Sequence, residues 1–188
     1  MRVSIPIAAT ISIAAFVSIS SAVAGELAID VPNFQKVSDS IYRGAQPTVA
    51  GFGILKTMGI LTVLDLRESS HARTEEAIVK AQGMRYINIP MAGLEAPSDA
   101  HIAQALALLG NAAAGPVFVH CRRGADRTGT VLACYRISHD HWDNSKALAE
   151  AKQRGMSKFQ IAMYRYIRAY SGNAVAAAPA TGQVQVSN

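Results

Sequence analysis

Val117-Phe118-Val119-His120-Cys121-Arg122-Arg123-Gly124-Ala125-Asp126-Arg127-Thr128-Gly129-Thr130 joins three kinds of sequence in fourteen residues. Val117 to His120 is an unbroken apolar run closed by a histidine, which reads as a central strand covered on both faces. Cys121 to Arg127 is a short loop with one glycine. The residues after Arg127 read as a helix. A cysteine at a strand end that faces a helix N-terminus meets free backbone N–H groups and the positive end of the helix dipole. Both favour the thiolate. Successive amides of a tight loop form an anion nest, and Gly124 permits the unusual backbone this needs. Arg127, six residues after Cys121, can close the bowl by gripping two oxygens of one phosphoryl group with its planar fork.

That constellation predicts nucleophilic phosphoryl transfer. Cys121 attacks phosphorus and forms a cysteinyl-phosphate, which water then hydrolyses. The phosphate-binding residues are Arg122, Arg123, Gly124, Ala125, Asp126 and Arg127, through loop amides and the Arg127 guanidinium. The Thr128 hydroxyl is placed to donate to the departing thiolate. His120 is expected to hold the loop by hydrogen bonds rather than to act as a base. The bowl supplies the positive charge itself, so no metal and no cofactor is expected.

Working outward, the chain alternates strand and helix. A short strand is expected within Val37–Arg43, a helix over 49–58 capped by Thr48 and ended by Gly59, and a strand over Ile60–Leu66. A helix over 74–82, a strand over Tyr86–Pro90, a loop over 91–97 and a helix from Ser98 or Asp99 to Leu109 follow. Helices over 127–138, 143–154 and 157–170 complete the order. The fold class is therefore α/β, with a central, mostly parallel sheet of four to five strands flanked by helices.

The two ends differ from this middle. The chain has 188 residues, 50% hydrophobic and only 16% charged, with a net charge of +5. Mean hydropathy is +0.17. Residues 1–24 carry a single charge, Arg2, followed by an apolar run and Ala22-Val23-Ala24. This is the pattern of a cleaved signal peptide, so an exported, periplasmic or secreted protein is expected, with no membrane span after cleavage. Loss of Arg2 lowers the net charge to +4. Residues 25–34 read as an N-terminal lead, 35–170 as the catalytic domain and 171–188 as an uncharged, Ala-rich tail without periodicity. The composition excludes a disordered chain, a fibre and a multi-span membrane protein. The basic excess is modest and dispersed, which argues against a nucleic-acid partner and leaves a monomer acting on a phosphorylated protein or small molecule.

Two cysteines exclude a disulfide scaffold. Cys121 and Cys134 are expected to be free thiols. Helical geometry puts Cys134 about 10 Å along the axis from the helix start, too far for easy bridging. Cys134 then reads as a small core residue.

The loop Val-His-Cys-Arg-Arg-Gly-Ala-Asp-Arg-Thr-Gly also resembles the signature of the cysteine-dependent protein tyrosine phosphatase superfamily, in its small bacterial dual-specificity-like branch. Ile41-Tyr42-Arg43-Gly44-Ala45-Gln46-Pro47, Leu55 to Gly59, Val63-Leu64-Asp65-Leu66-Arg67, Asn88-Ile89-Pro90 and Ile102 to Leu106 look like the plant and fungal atypical dual-specificity phosphatases as well. The resemblance spans roughly residues 35–170. It implies the phosphatase fold and hydrolysis of phosphomonoesters, and in related branches of inositol phosphates or other polyanions.

The family usually supplies a general acid as Asp from a separate loop. Its commonest position falls around Met91, where this chain has no Asp. Three carboxylates stand for the role. Asp99 resembles an Asp of the plant and fungal branch, against an ordinary first-turn acid. Asp126 resembles the Asp of bacterial Lys-Asp-Arg-Thr-Gly loops, with Ala125 in place of the Lys, against a loop brace pairing with Arg43 or Arg67. Glu95 lies in the 91–97 loop with no capping duty, against a surface acid. Arg67 at a strand end is a supporting residue, as a brace or a ligand contact. His71, His101, His139 and His141 form no metal-ligand set with cysteines or clustered acids. Two other classes share a reactive cysteine in an anion loop: a rhodanese-like sulfurtransferase and a non-catalytic phospholigand-binding module.

Overall fold

The computed structural model describes residues 30–172. The leader expected over 1–24, and most of the tail, lie outside the described residues. Five strands form one sheet in the order β1-β2-β5-β3-β4. They are β1 (Gln35–Lys36), β2 (Ile41–Ala45), β3 (Thr62–Asp65), β4 (Arg85–Asn88) and β5 (Val117–Cys121). Only β1 runs antiparallel, and β5 lies in the middle, parallel to both β2 and β3. Among the described residues, six α-helices pack around the sheet: α1 (Val49–Thr57), α2 (Ala72–Ala81), α3 (Asp99–Leu109), α4 (Asp126–Ser138), α5 (Asn144–Gln153) and α6 (Ile161–Ala169).

Alternation along the strands divides the core. In β3, Val63 faces a cluster with Phe52 and Leu55 of α1 and Val79 of α2. Leu64 faces the opposite cluster, with Ile102 and Leu106 of α3 and Val131 and Leu132 of α4. In β5, Val117, Val119 and Cys121 belong to the α3–α4 side, and Phe118 to the α1–α2 side. The strand period of two produces this split, so His120 and Cys121 leave β5 on opposite faces. A third cluster of Ala133, Ala147, Leu148, Ala151 and Ile167 joins α4 to α5 and α6.

Helix starts follow the caps read from sequence. Thr48 accepts from the Gly51 N–H at α1, and Ser98, not Asp99, caps α3 by accepting from the His101 N–H. Gly59, with φ +86°, follows α1. The strand expected within Val37–Arg43 is β2 and sits later, at Ile41–Ala45, because Val37 to Ser40 turns the chain back from β1: the N–H groups of Val37 and Ser38 both donate to the Ile41 carbonyl. The last helix starts at Ile161 rather than at residue 157. Residues 156–160 spend their polar groups on other segments, Ser157 N–H on Asp126 and Gln160 Nε2 on Gly93.

Residues 30–34, expected as a lead ahead of the domain, are built into it. Val31 is fully buried. The carbonyls of Asp30 and Pro32 accept from Thr48 and Ala45.

Candidate active site

Cys121 ends β5 at the carboxyl edge of the parallel strands, the edge where open α/β sheets bind ligands. Its side chain is buried. The next four residues turn sharply, and α4 begins at Asp126. Ala125 occupies the cap position and offers no side-chain acceptor, so the first-turn amides of α4 remain available to an anion. Gly124 makes the turn possible. Its φ is +67°, and a Cβ there would lie 2.2 Å from the Gly44 carbonyl, closer than real atoms come.

Two side chains hold the loop from below. Arg43 of β2 is buried and donates from Nη2 to the Gly124 carbonyl at 2.6 Å. Burial lowers its guanidinium to about 10, still charged at neutral pH. Asn33 donates from Nδ2 to the carbonyls of Arg123, Gly124 and Arg154. Neither duty was legible in the sequence, since both partners are distant in the chain. His120 was expected to hold the loop; its ring turns away instead. Neither ring nitrogen has a hydrogen-bond partner among the described residues. Its Nε2 makes an ion-pair contact of 2.8 Å with Glu75 Oε1 on α2.

Arg127 at the start of α4 is half-buried and donates from Nη1 to the Met91 carbonyl at 3.2 Å. This contact fixes the 91–97 loop against the bowl. Gln160 secures the same loop through the Gly93 carbonyl at 2.9 Å. Thr128 is fully buried, and its Oγ1 has no hydrogen-bond partner among the described residues. Arg122 and Arg123 are exposed at the rim.

The three carboxylates occupy different settings. Asp126 has both oxygens engaged: Arg123 donates to Oδ2 at 2.7 Å, and the Ser157 N–H to Oδ1 at 2.8 Å. It does not pair with Arg43 or Arg67. Asp99 sits on the first turn of α3 and accepts from the Tyr166 hydroxyl at 2.7 Å. Glu95 is exposed in the loop that Arg127 and Gln160 anchor.

Arg67 touches neither the loop nor its mouth. It is buried and forks onto Asp65, with Nε at 2.9 Å from Oδ1 and Nη2 at 2.7 Å from Oδ2. The same Nη2 reaches Glu75 Oε2 at 2.6 Å. Burial alone would raise the Asp65 carboxyl, but the Arg67 hydrogen bonds and the neighbouring His120 hold it below the ordinary value. Asp65, Glu75 and His120 offer ligand atoms within 4.8 Å of one another. The guanidinium of Arg67 already takes the cation position between the two carboxylates, so the donor set does not fit a metal ion.

Cys134 lies in the core on the α3–α4 side, and burial pushes its thiol up. Both cysteines are free.

A family model described as DSP-PTPase phosphatase fused to NAD+ kinase matches residues 12–169. The chain belongs to that family of cysteine-dependent, dual-specificity-type phosphatases. It is 29% identical over 150 residues to inositol diphosphatase DSP5 of Arabidopsis thaliana, covering 76% of this chain and 72% of that protein. It is 30% identical over 125 residues to the dual specificity protein phosphatase TpbA of Pseudomonas aeruginosa, covering 65% of this chain and 55% of that protein. The crystal structure of TpbA superposes with a TM-score of 0.65 at 26% identity, over 76% of this chain and 88% of that one. The catalytic core of the Saccharomyces cerevisiae phosphatase SIW14 shares the fold, with a TM-score of 0.68 at 24% identity, over 77% and 88%.

Proposed function

We propose that this phosphatase hydrolyses phosphotyrosine or dual-specificity protein substrates, with Cys121 as the nucleophile and a cysteinyl-phosphate as the intermediate. The observation that carries the reading is the placement of Cys121 between the end of β5 and the uncapped start of α4, with Arg127 at the bowl's edge. Arg127 and the amides of residues 122–127 hold the phosphoryl oxygens as charge shifts toward the leaving group. Thr128 has its hydroxyl free to donate to the Cys121 sulfur as the intermediate breaks down.

The mouth supports a bulky apolar leaving group. Leu94 and Phe159 are each 76% exposed. They flank Gly93 and Gln160, whose hydrogen bond joins the two rim segments. Exposed side chains of this size beside a polar bowl are a reason to expect contact with substrate. A crystal structure of TpbA in complex with pTyr supports the same class. The second reading is an inositol phosphate or other polyanion, favoured by exposed Arg122, Arg154 and Lys158 at the rim and by the diphosphatase relatives.

Glu95 lies in the loop that Arg127 anchors, and Asp99 follows that loop with Oδ1 accepting from the Tyr166 hydroxyl, while both oxygens of Asp126 are held by Arg123 and the Ser157 N–H. We take Asp99 as the acid, with Asp126 and Glu95 as the alternatives. Removal of the true acid lowers turnover of an alkyl phosphate by about 100-fold or more, and of an aryl phosphate by less, because the aryl oxygen needs less protonation. Asp99→Asn, Asp126→Asn and Glu95→Gln, assayed on both esters, identify it.

Export is part of the proposal: the leader over 1–24 directs a monomeric enzyme to the periplasm or medium. Fractionation of cells expressing the full chain checks it, and retention of uncleaved protein in the cytoplasm overturns it. The decisive activity test is hydrolysis of p-nitrophenyl phosphate by the wild type beside Cys121→Ser. Equal rates, or none in either, defeat the nucleophile. Sulfide release from thiosulfate without ester hydrolysis would indicate the sulfurtransferase instead, and tight phosphopeptide binding without turnover the binding module. Phosphotyrosine peptides and inositol phosphates at equal concentration then separate the two substrate classes.

A further inference from the structure

We infer that Glu75 is a positioning residue for the nucleophile, acting through His120. The inference rests on the reading of Cys121 as the attacking group. Glu75 lies on α2, on the face of the sheet opposite the bowl, and is only 3% exposed. A glutamate is rarely this buried unless it is paired, and Glu75 stands against two cation-capable groups, although only Oε2 makes a hydrogen bond among the described residues. Oε2 accepts from Arg67 at 2.6 Å, and Oε1 lies 2.8 Å from His120 Nε2.

The surrounding charges define what the pair does. Asp65 of β3 is fully buried, forked by Arg67, and accepts from the Tyr86 hydroxyl of β4 at 2.8 Å. Its Oδ1 stands 3.9 Å from His120 Nε2. Burial and the neighbouring Asp65 push the Tyr86 hydroxyl up, so it stays neutral. Asp65, Arg67 and Glu75 form one buried polar cluster, and Glu75 is the member whose oxygen stands closest to the His120 ring. Glu75 therefore fixes His120 in place.

His120 is also clamped by Phe118, whose ring stacks on it at 5.6 Å with an interplanar angle of 20°. It directly precedes Cys121 and leaves β5 on the other face. A side chain locked below the sheet sets the orientation of the peptide that aims the sulfur above it. Arg43 and Asn33 fix the far end of the loop at Gly124; the near end is tied by the backbone, Gln46 N–H to the Arg122 carbonyl and Leu66 N–H to the His120 carbonyl, and Glu75 adds a side-chain hold on His120. A purely structural role, in which Glu75 only neutralises Arg67, leaves the Oε1 contact with His120 without consequence for catalysis. The two roles differ in what they change.

The test compares wild type, Glu75→Gln, His120→Asn and the double variant on p-nitrophenyl phosphate. Melting temperature and the rate of Cys121 alkylation by iodoacetamide are measured alongside. Glu75→Gln is expected to lower kcat about 10- to 100-fold, the size of loss produced by misplacing a reacting group by about 1 Å. KM and inhibition by inorganic phosphate stay within about threefold, because the bowl amides and Arg127 are untouched. Alkylation of Cys121 slows in parallel. In the His120→Asn background the same change costs less than about threefold in kcat, because a residue acting through another has nothing left to act on. Equal losses in both backgrounds, or a lower melting temperature with kcat and alkylation unchanged, overturn the inference. If Glu75→Gln does not fold, Glu75→Asp takes its place: it keeps the charge beside Arg67 but falls one methylene short of His120, and the same outcomes apply. A wild-type enzyme without turnover defeats the nucleophile reading itself, whereas an active wild type with an unaffected Glu75 variant defeats only this inference.

Discussion

Cys121 and Cys134 belong to one strand–helix unit, are both buried and are both free, yet only one faces an anion site. Cys134 lies two turns into α4 among Ile102, Leu106 and Val131, where burial pushes its thiol up. Cys121 precedes the helix, where backbone amides have no partner within α4 and Arg127 stands at the edge. Burial is common to both, so burial does not decide reactivity. What separates them is position along the helix: free N–H groups and the positive dipole end occur only at its start.

The comparison can be broken most severely by exchanging the two thiols' fates. Cys121→Ser is expected to lower kcat at least about 10,000-fold, as removal of a nucleophile does. Cys134→Ala is expected to leave kcat within about twofold. A strong loss in both, measured by steady-state hydrolysis, would erase the distinction.

The next largest effect belongs to the edge of the bowl. Arg127→Ala removes both the phosphoryl clamp and the tether to Met91. It should lower kcat about 100- to 1,000-fold. Arg127→Lys should recover little of this, because an ammonium cannot make the two-pronged contact. Full rescue by Lys would mean that charge alone matters there.

Alkylation sharpens the contrast without relying on turnover. Iodoacetamide at neutral pH should label Cys121 at least about tenfold faster than Cys134 in the folded protein, and the two equally in denaturant. Peptide mass spectrometry reads the ratio, and equal labelling in the folded state would refute the difference.

A smaller effect concerns the buried charges beneath the sheet. Asp65 is held below the unfolded carboxylate value of about 3.9, so its contribution to stability is present above that pH and lost as pH falls through the lower folded value. Arg67→Met strips that support from two carboxylates at once. The midpoint of acid unfolding, followed by circular dichroism, should move to higher pH; an unchanged midpoint would show that Arg67 contributes nothing to it. Smallest is the packing cost of Cys134→Ala, about 1 kcal/mol for one lost sulfur in a filled core, read from denaturant unfolding.

Much of the fold was legible because it rests on local signals. Thr48 and Ser98 cap helices where their side chains promise to, and the Val117–His120 run proved to be the central strand. The start of α6 was misplaced by sequence because Ser157 and Gln160 look helical but bond to Asp126 and Gly93 instead. His120 was assigned to the loop, when strand alternation alone would have sent it to the opposite face. Glu75 drew no attention, since an acid in an amphipathic helix looks like any surface acid until its partners are known.

The sequence by itself determined the bowl. Cys121, Gly124, Arg127 and the helix start lie within a few bonds of each other, so spacing alone constrains their geometry. Tertiary structure decided what holds the bowl and what surrounds it. Arg43, Asn33, Met91 and Gln160 reach the site from β2, the N-terminal segment and two rim loops, and Glu75 of α2 meets His120 on the other face of the sheet. Such contacts join residues far apart in the chain, and they exist only once the parallel sheet brings its strand ends to one edge.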